Sequence, residues 1–268
     1  MSAMEIESPA NPRIRATAAL RERRERDRSG LTLVDGLRES TRALEAGVET
    51  ELALVCPALL HGEDAARALT LLGERRAEIV EVSERAFSRV AFGDRNDGIV
   101  LVIRSPGTDL GAIRFPKDHD PLVVVTEDIE KPGNLGAILR SADGAGADAV
   151  VAVGGTDLFN PNVIRASTGT VFTVPIAAAP AEAILHWLRE HGLRILAAKV
   201  DAAQVHTEAD LTGPLAIVLG NEASGLTTAW DAPDVESLRL PMLGVADSLN
   251  VSVAGAILLY EARRQRDG

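Results

Sequence analysis

The sequence predicts an α/β protein of two domains, the second built on a parallel sheet, and three observations carry that expectation. Short apolar runs alternate with helix-length segments along most of the 268 residues. The run P-L-V-V-V-T-E-D at 121–128 is continuously apolar up to an acidic tip, as a strand covered on both faces must be. Between the halves, S-P-G-T-D-L-G-A-I-R-F-P-K-D-H-D-P combines Pro, Gly and scattered charge, which suits a linker. The expected domains are therefore 1–104 and 121–268, joined by 105–120.

The elements follow in order. Asn11-Pro12 opens a helix that reads to about Arg28. An apolar strand over 31–36 ends in a turn, a helix runs over 37–46, and strands at 51–56, 79–82 and 99–103 are separated by helices at 63–72 and 84–90. In the second half a helix over 135–145 follows the first strand. A strand at 149–153, a helix near 161–167 and a strand at 172–176 come next, then a helix over 181–191 and strands at 194–199, 215–220 and 237–241. A C-terminal helix from Leu249 reaches at least Tyr260. In such a sheet ligands bind outside the carboxyl ends of the strands, which directs attention to four loops, 127–136, 154–161, 220–225 and 242–250.

Composition narrows the function. A hydrophobic fraction of 46% with 25% charged residues supports a real core. Only 3% of residues are aromatic, which argues against base stacking as a main mode of nucleic-acid recognition. The single Cys56 lies in an apolar run, cannot form an intramolecular disulfide, and suits a reducing, cytoplasmic setting. No apolar run is long enough for a membrane span, and M-S-A-M-E-I-E-S-P lacks the character of a secretory leader. A net charge of −11 opposes general nucleic-acid binding, yet residues 11–28 hold seven arginines against three carboxylates. Arg13, Arg21, Arg23 and Arg24 on that locally basic stretch are candidates for contact with a polyanion such as a nucleic acid; a solvated surface helix laced with Glu-Arg pairs is the alternative.

Three constellations could carry chemistry. N-L-G-A-I-L-R (134–140) leaves a strand through Pro132 and Gly133, with Asn134 as helix cap and Arg140 nearly two turns further along an apolar helix. Such an arginine needs an anionic partner, either a ligand or a structural carboxylate such as Glu222. L-G-N-E-A-S-G (219–225) brings Glu222 to a strand tip between glycines. R-A-S-T-G (165–169) places Arg165 where it could meet a phosphate or cap a helix. Beside these, P-M-L-G-V-A-D-S-L-N-V-S-V-A (241–254) runs from a strand into a helix, with Ser248 and Asn250 at the helix mouth. Other sites are excluded. G-A-G-A-D-A at 144–149 lies in helix-to-strand order, the reverse of a dinucleotide fingerprint, which removes a nicotinamide-dependent oxidoreductase. The five histidines show no metal-ligand spacing, so no metal is expected.

In their order and their fall at strand ends, N-L-G-A-I-L-R-S-A, L-G-N-E-A-S-G and L-P-M with S-L-N-V-S-V-A resemble the three motifs of the SpoU/TrmH family, the RNA ribose 2′-O-methyltransferases of the SPOUT superfamily. The resemblance covers about residues 122–264. The N-terminal half, through V-D-G-L-R-E and its order of elements, resembles the ribosomal-protein-like α/β substrate-binding domain of many members, and the layout is similar to the thiostrepton-resistance type of ribosomal RNA methyltransferase. The resemblance implies a C-terminal trefoil knot, S-adenosyl-L-methionine as cofactor with Gly220, Leu240 and Leu249 around it and Asn221 and Met242 adjacent, and a homodimer sharing the RNA site. It implies Arg140 as the catalytic arginine with Asn134, Glu222, Ser248 and Asn250 around it, and Arg165 on RNA phosphate. Ribosomal RNA is the favoured target; transfer RNA, or a non-catalytic RNA-binding relative, is the alternative.

Overall fold

The computed structural model describes residues 5–92 and 96–268. Residues 1–4, part of the leader reading above, lie outside the described residues. In chain order the elements are α1 Pro12–Ala19, α2 Arg23–Ser29, β1 Leu31–Asp35, α3 Leu37–Glu45, β2 Thr50–Val55, α4 Glu63–Glu74, β3 Glu78–Glu81, α5 Glu84–Phe87 and β4 Ile99–Arg104. There follow β5 Leu122–Glu127, α6 Pro132–Gly144, β6 Ala149–Val153, α7 Pro161–Ala166, β7 Ile176–Ala179, α8 Ala181–Glu190, β8 Arg194–Ala198, β9 Gln204–Val205, β10 Leu215–Leu219, β11 Val235–Arg239 and α9 Val251–Asp267. They form two compact units: the chain up to Pro106 with Asp157–Thr173, and Gly107–Thr156 with Val174–Gly268.

The first unit is a four-stranded sheet in the order β1-β4-β2-β3, with β4 antiparallel to both neighbours and β2 parallel to β3. Ile14, Leu33, Leu54, Phe87 and Val100 pack into one core. The expected single helix over 11–28 is two. Asn11 caps α1 by accepting from the Arg13 amide and Pro12 takes the first helical position. At the far end, the buried guanidinium of Arg26 folds back and its Nη1 donates to the carbonyls of Leu20 (2.8 Å) and Arg21 (2.7 Å), so α2 supplies donors to carbonyls in the turn between the helices. Arg26 also pairs with Asp157.

That pair belongs to an excursion that strand order could not reveal. Thr32 Oγ1 donates to the Phe159 carbonyl at 2.7 Å, and Phe159 stacks on Phe172. Residues 157–173 therefore group with the N-terminal half, although the sequence placed them in the second domain. Their strand was also expected too early: 170–172 form a short 3-10 turn after Gly169, whose φ of 83° lies in the left-handed region, and β7 begins only at Ile176.

The second unit carries the expected parallel sheet, seven strands in the order β7-β6-β5-β10-β8-β11-β9, every pairing parallel. β5 is buried along its whole length. One face packs Val123, Val125, Val151 and Val218 on Ile184, Trp187 and Leu188. On α9, a Cβ at Gly255 would come within 2.7 Å of the Leu219 side chain, so the missing side chain lets that helix lie close on β10. The expected linker is packed structure here: Ile113 is buried in this core and Phe115 tilts against Trp187 at 5.3 Å. β5, β6 and β7 extend the sheet in one direction, whereas β10 inserts between β5 and β8. The carboxyl ends of β5, β8, β10 and β11 thus meet where the strand order reverses.

Candidate active site

Helix α6 starts three residues earlier than its sequence pattern suggested, because Pro132 takes the first helical position, which needs no amide hydrogen. Asn134 is consequently the third residue of the helix and not its cap; Lys131 is the cap residue, without a side-chain capping bond. Asn250 does cap α9, its Oδ1 accepting from the amide of Ser252 at 3.0 Å. The two helix N-termini, each the positive end of a dipole, converge on the tip of β10.

Glu222 fills that point. Its Oε1 accepts from Asn134 Nδ2 at 2.8 Å and from Asn250 Nδ2, and its Oε2 from Lys131 Nζ at 2.8 Å. Asn250 Nδ2 also donates to Asn134 Oδ1 at 3.1 Å, which closes a triangle of the three side chains. The Lys131 ammonium first, then the backbone N–H of Val251 and the Asn134 amide, hold the Glu222 carboxyl below the usual carboxylate range. A carboxylate so stabilised is a poor proton acceptor and a good orienting group.

Beside this cluster opens a cavity of about 710 Å³, walled by the ends of β8, β10 and β11 and the entry to α9. Gly220, Asn221, Leu240, Met242 and Leu249, the five positions expected around the cofactor, all line it, together with Glu222 and Ser248. The size and the mixture of leucines with backbone groups suit a nucleoside-sized ligand. The wall is tightly drawn: a Cβ at Gly220 would sit 2.6 Å from the Gly225 backbone, and Asn221 and Gly225 bridge each other. The polar atoms of the Asn221 side chain are engaged by the protein itself, donating to the Asp128 carbonyl at 2.8 Å and accepting from the amide of Ala223 at 2.7 Å. Buried Glu127, at the end of β5, anchors the outgoing chain by accepting from the amide (2.8 Å) and hydroxyl (2.9 Å) of Thr227.

Arg140 lies on the exposed side of α6, six residues beyond Asn134. Among the described residues no hydrogen bond or ion pair engages its side chain, and the structural partner considered for it, Glu222, is committed elsewhere. Lys131 is the member that sequence reasoning missed; a cation beside an acidic E-D-I-E stretch gave no signal, and only the fold brings it to Glu222. Of the four expected loops, three meet here; the loop at 154–161 leaves for the first unit at Asp157.

The expected RNA-binding arginines lie in the first unit, and most are engaged. Arg13 grips Glu78 with two bonds of 2.6 and 2.8 Å, and Arg23 lies 3.6 Å from Asp27. Arg21 covers the Phe92 ring at 4.5 Å and donates to the Ala91 carbonyl; burial, then Arg89, pulls its guanidinium below the ordinary range. Arg165 pairs with buried Asp35 at 3.2 Å and donates to the Phe92 carbonyl. Arg24 is exposed. Among the described residues no cluster of His, Cys, Asp or Glu could hold a metal ion, and no helix is long and apolar enough to cross a membrane.

Known proteins match both halves. The SpoU rRNA Methylase family model matches residues 121–260, and a model described as an MRM3-like substrate binding domain matches residues 11–101. A 23S rRNA (uridine(2479)-2′-O)-methyltransferase of Streptomyces viridochromogenes is 31% identical over 93% of this chain and 88% of that protein. A crystal structure described as an RNA 2′-O ribose methyltransferase superposes with a TM-score of 0.84 at 43% identity, covering 98% of this chain and 99% of the other. The SpoU methyltransferase AviRb of Streptomyces viridochromogenes, solved in complex with the cofactor AdoMet, gives a TM-score of 0.85 at 29% identity over 96% of this chain and 99% of the other. With the matched motifs lying where three loops converge on one cavity, the chain belongs to the SpoU rRNA methylase family.

Proposed function

We propose that the chain is an S-adenosylmethionine-dependent RNA methyltransferase that modifies a ribose 2′-hydroxyl of ribosomal RNA. The observation that carries this reading is the Glu222–Asn134–Asn250 triangle at the wall of the cavity, with Arg140 on the same helix as Asn134 exposed and, among the described residues, without a partner. Relatives of nearly full coverage named as 23S rRNA 2′-O-methyltransferases, and a structural neighbour solved with AdoMet, support the substrate and the cofactor.

S-adenosylmethionine supplies the electrophilic methyl group when bound, held by the backbone around Gly220 and by Leu240, Met242 and Leu249. Displacement at that methyl needs the ribose oxygen in line and its proton removed. Arg140 stays protonated, so it acts by stabilising the developing alkoxide and gripping the neighbouring phosphate, with that phosphate or solvent taking the proton. Asn134 and Asn250, fixed by Glu222, orient the approaching nucleotide, and Ser248 faces it from the cavity rim. Three finer readings belong with this one. The C-terminal segment forms a trefoil knot, and the chain works as a homodimer in the cytoplasm. The exposed apolar Val253, Ile257 and Tyr260, spaced to share one face of α9, support the second copy.

The test is transfer of labelled methyl from S-adenosylmethionine to 23S rRNA, mapped by primer extension at low nucleotide concentration. A single stop absent without enzyme is expected. Label on transfer RNA alone, or none on any RNA in the presence of bound cofactor, overturns the reading.

A further inference from the structure

We infer that Lys131 is a positioning residue of the methyl-transfer site, acting through Glu222 to hold Asn134 and Asn250 in their working orientation. The inference rests on the function proposed above. Lys131 stands at the cap of α6, where a cation meets the positive end of the helix dipole and where Ser, Thr, Asp or Asn is the favoured residue. The first turn of α6 has no acidic residue to relieve it. Local helix stability does not account for a lysine there; its side-chain partner, the Glu222 carboxylate at 2.8 Å, does.

Glu222 divides its two oxygens. Oε2 faces Lys131, whereas Oε1 receives the amides of both Asn134 and Asn250. Without the ammonium on Oε2, the carboxylate is free to rotate about its last bond, and the two amides lose the acceptor that fixes which way their oxygens and N–H groups point. The other groups around the carboxylate are the N–H of Val251 and the two asparagine amides, while Glu130 faces Lys131. Among the described residues Lys131 is thus the cation paired with Glu222, and it works from solvent, with 73% of its side chain exposed.

The experiment compares full-length wild type, Lys131→Met and Lys131→Arg. Turnover of the Met variant is expected to fall about tenfold, with KM for RNA and Kd for S-adenosylmethionine held within about twofold, and Arg is expected to restore most of the rate. The Glu222 carboxyl, followed by carbon NMR without RNA and assigned with Glu222→Gln, is expected to titrate at higher pH in the Met variant and near its wild-type position in the Arg variant. Unchanged turnover, a change confined to KM for RNA, or equal loss in both variants overturns the inference, the second by making Lys131 an RNA contact. Should wild type methylate no RNA, the proposed function fails by itself; the Glu222 titration is read without RNA, and an unmoved carboxyl overturns the Lys131 coupling independently.

Discussion

The N-terminal helices and helix α6 both carry arginines, yet they differ in what those arginines touch. In α1 and α2 the guanidinium of Arg13 is taken by Glu78, Arg28 by Glu25, and Arg26 by Asp157 and two carbonyls. On α6, Arg140 meets no such partner among the described residues, and the carboxylate that could have quenched it is held by a lysine and two amides. A run of positive charge therefore locates little by itself. An exposed arginine left without a partner on the helix that carries Asn134 is the better indicator, since an arginine already paired must give up its own partner to bind RNA.

Four experiments sharpen that contrast. The largest effect is expected at Arg140: Arg140→Ala should lower turnover by about 10²- to 10³-fold, and Arg140→Lys should recover only part of it, because the charge remains while the planar fork is lost. Thermal unfolding and calorimetric titration with S-adenosylmethionine should stay at wild-type values. Full turnover in the Lys variant would break the assignment.

In the first unit the effect moves from activity to stability. Arg26→Met removes a buried guanidinium, takes the cation from Asp157, which keeps Asn160 as a side-chain donor, and takes the Arg26 donor from the carbonyls of Leu20 and Arg21, so urea unfolding should show a loss of about 3 kcal/mol. Asp35 gives a pH signature. Burial pushes its carboxyl up to about 6, against the Phe92 amide and Arg165, which lower it, while Asp97 and Glu39 raise it further. A raised acid favours the folded state while protonated; its contribution is complete below about pH 4 and is lost as pH rises through about 6. Asp35→Asn should flatten the stability profile between those values by up to about 3 kcal/mol, measured by urea unfolding at stepped pH.

The smallest effect separates free from paired arginines. Arg15 and Arg24 are exposed and enter no ion pair among the described residues. Replacing both with Ala should reduce the salt slope of RNA binding by roughly one per residue, while Arg13→Ala leaves the slope unchanged. Equal slopes in all three proteins would mean that this face does not touch RNA.

Sequence by itself determined the elements and much of the site. The apolar run of β5, the start of α6 at Pro132 and the cap at Asn250 are local features, decided within a few residues by amide geometry and burial period. Gly220, Asn221, Leu240, Met242 and Leu249, expected around a cofactor from the resemblance to the family, line one cavity: the first four follow the ends of β10 and β11, and Leu249 precedes α9. Tertiary structure decided the rest. That Lys131 rather than Arg140 pairs with Glu222, and that residues 157–173 join the N-terminal unit through Arg26–Asp157 and Thr32–Phe159, both depend on contacts between segments about 90 to 130 positions apart. No periodicity encodes such pairings, because the partner of a charged side chain is selected by distance and desolvation in the folded chain and not by its neighbours along it.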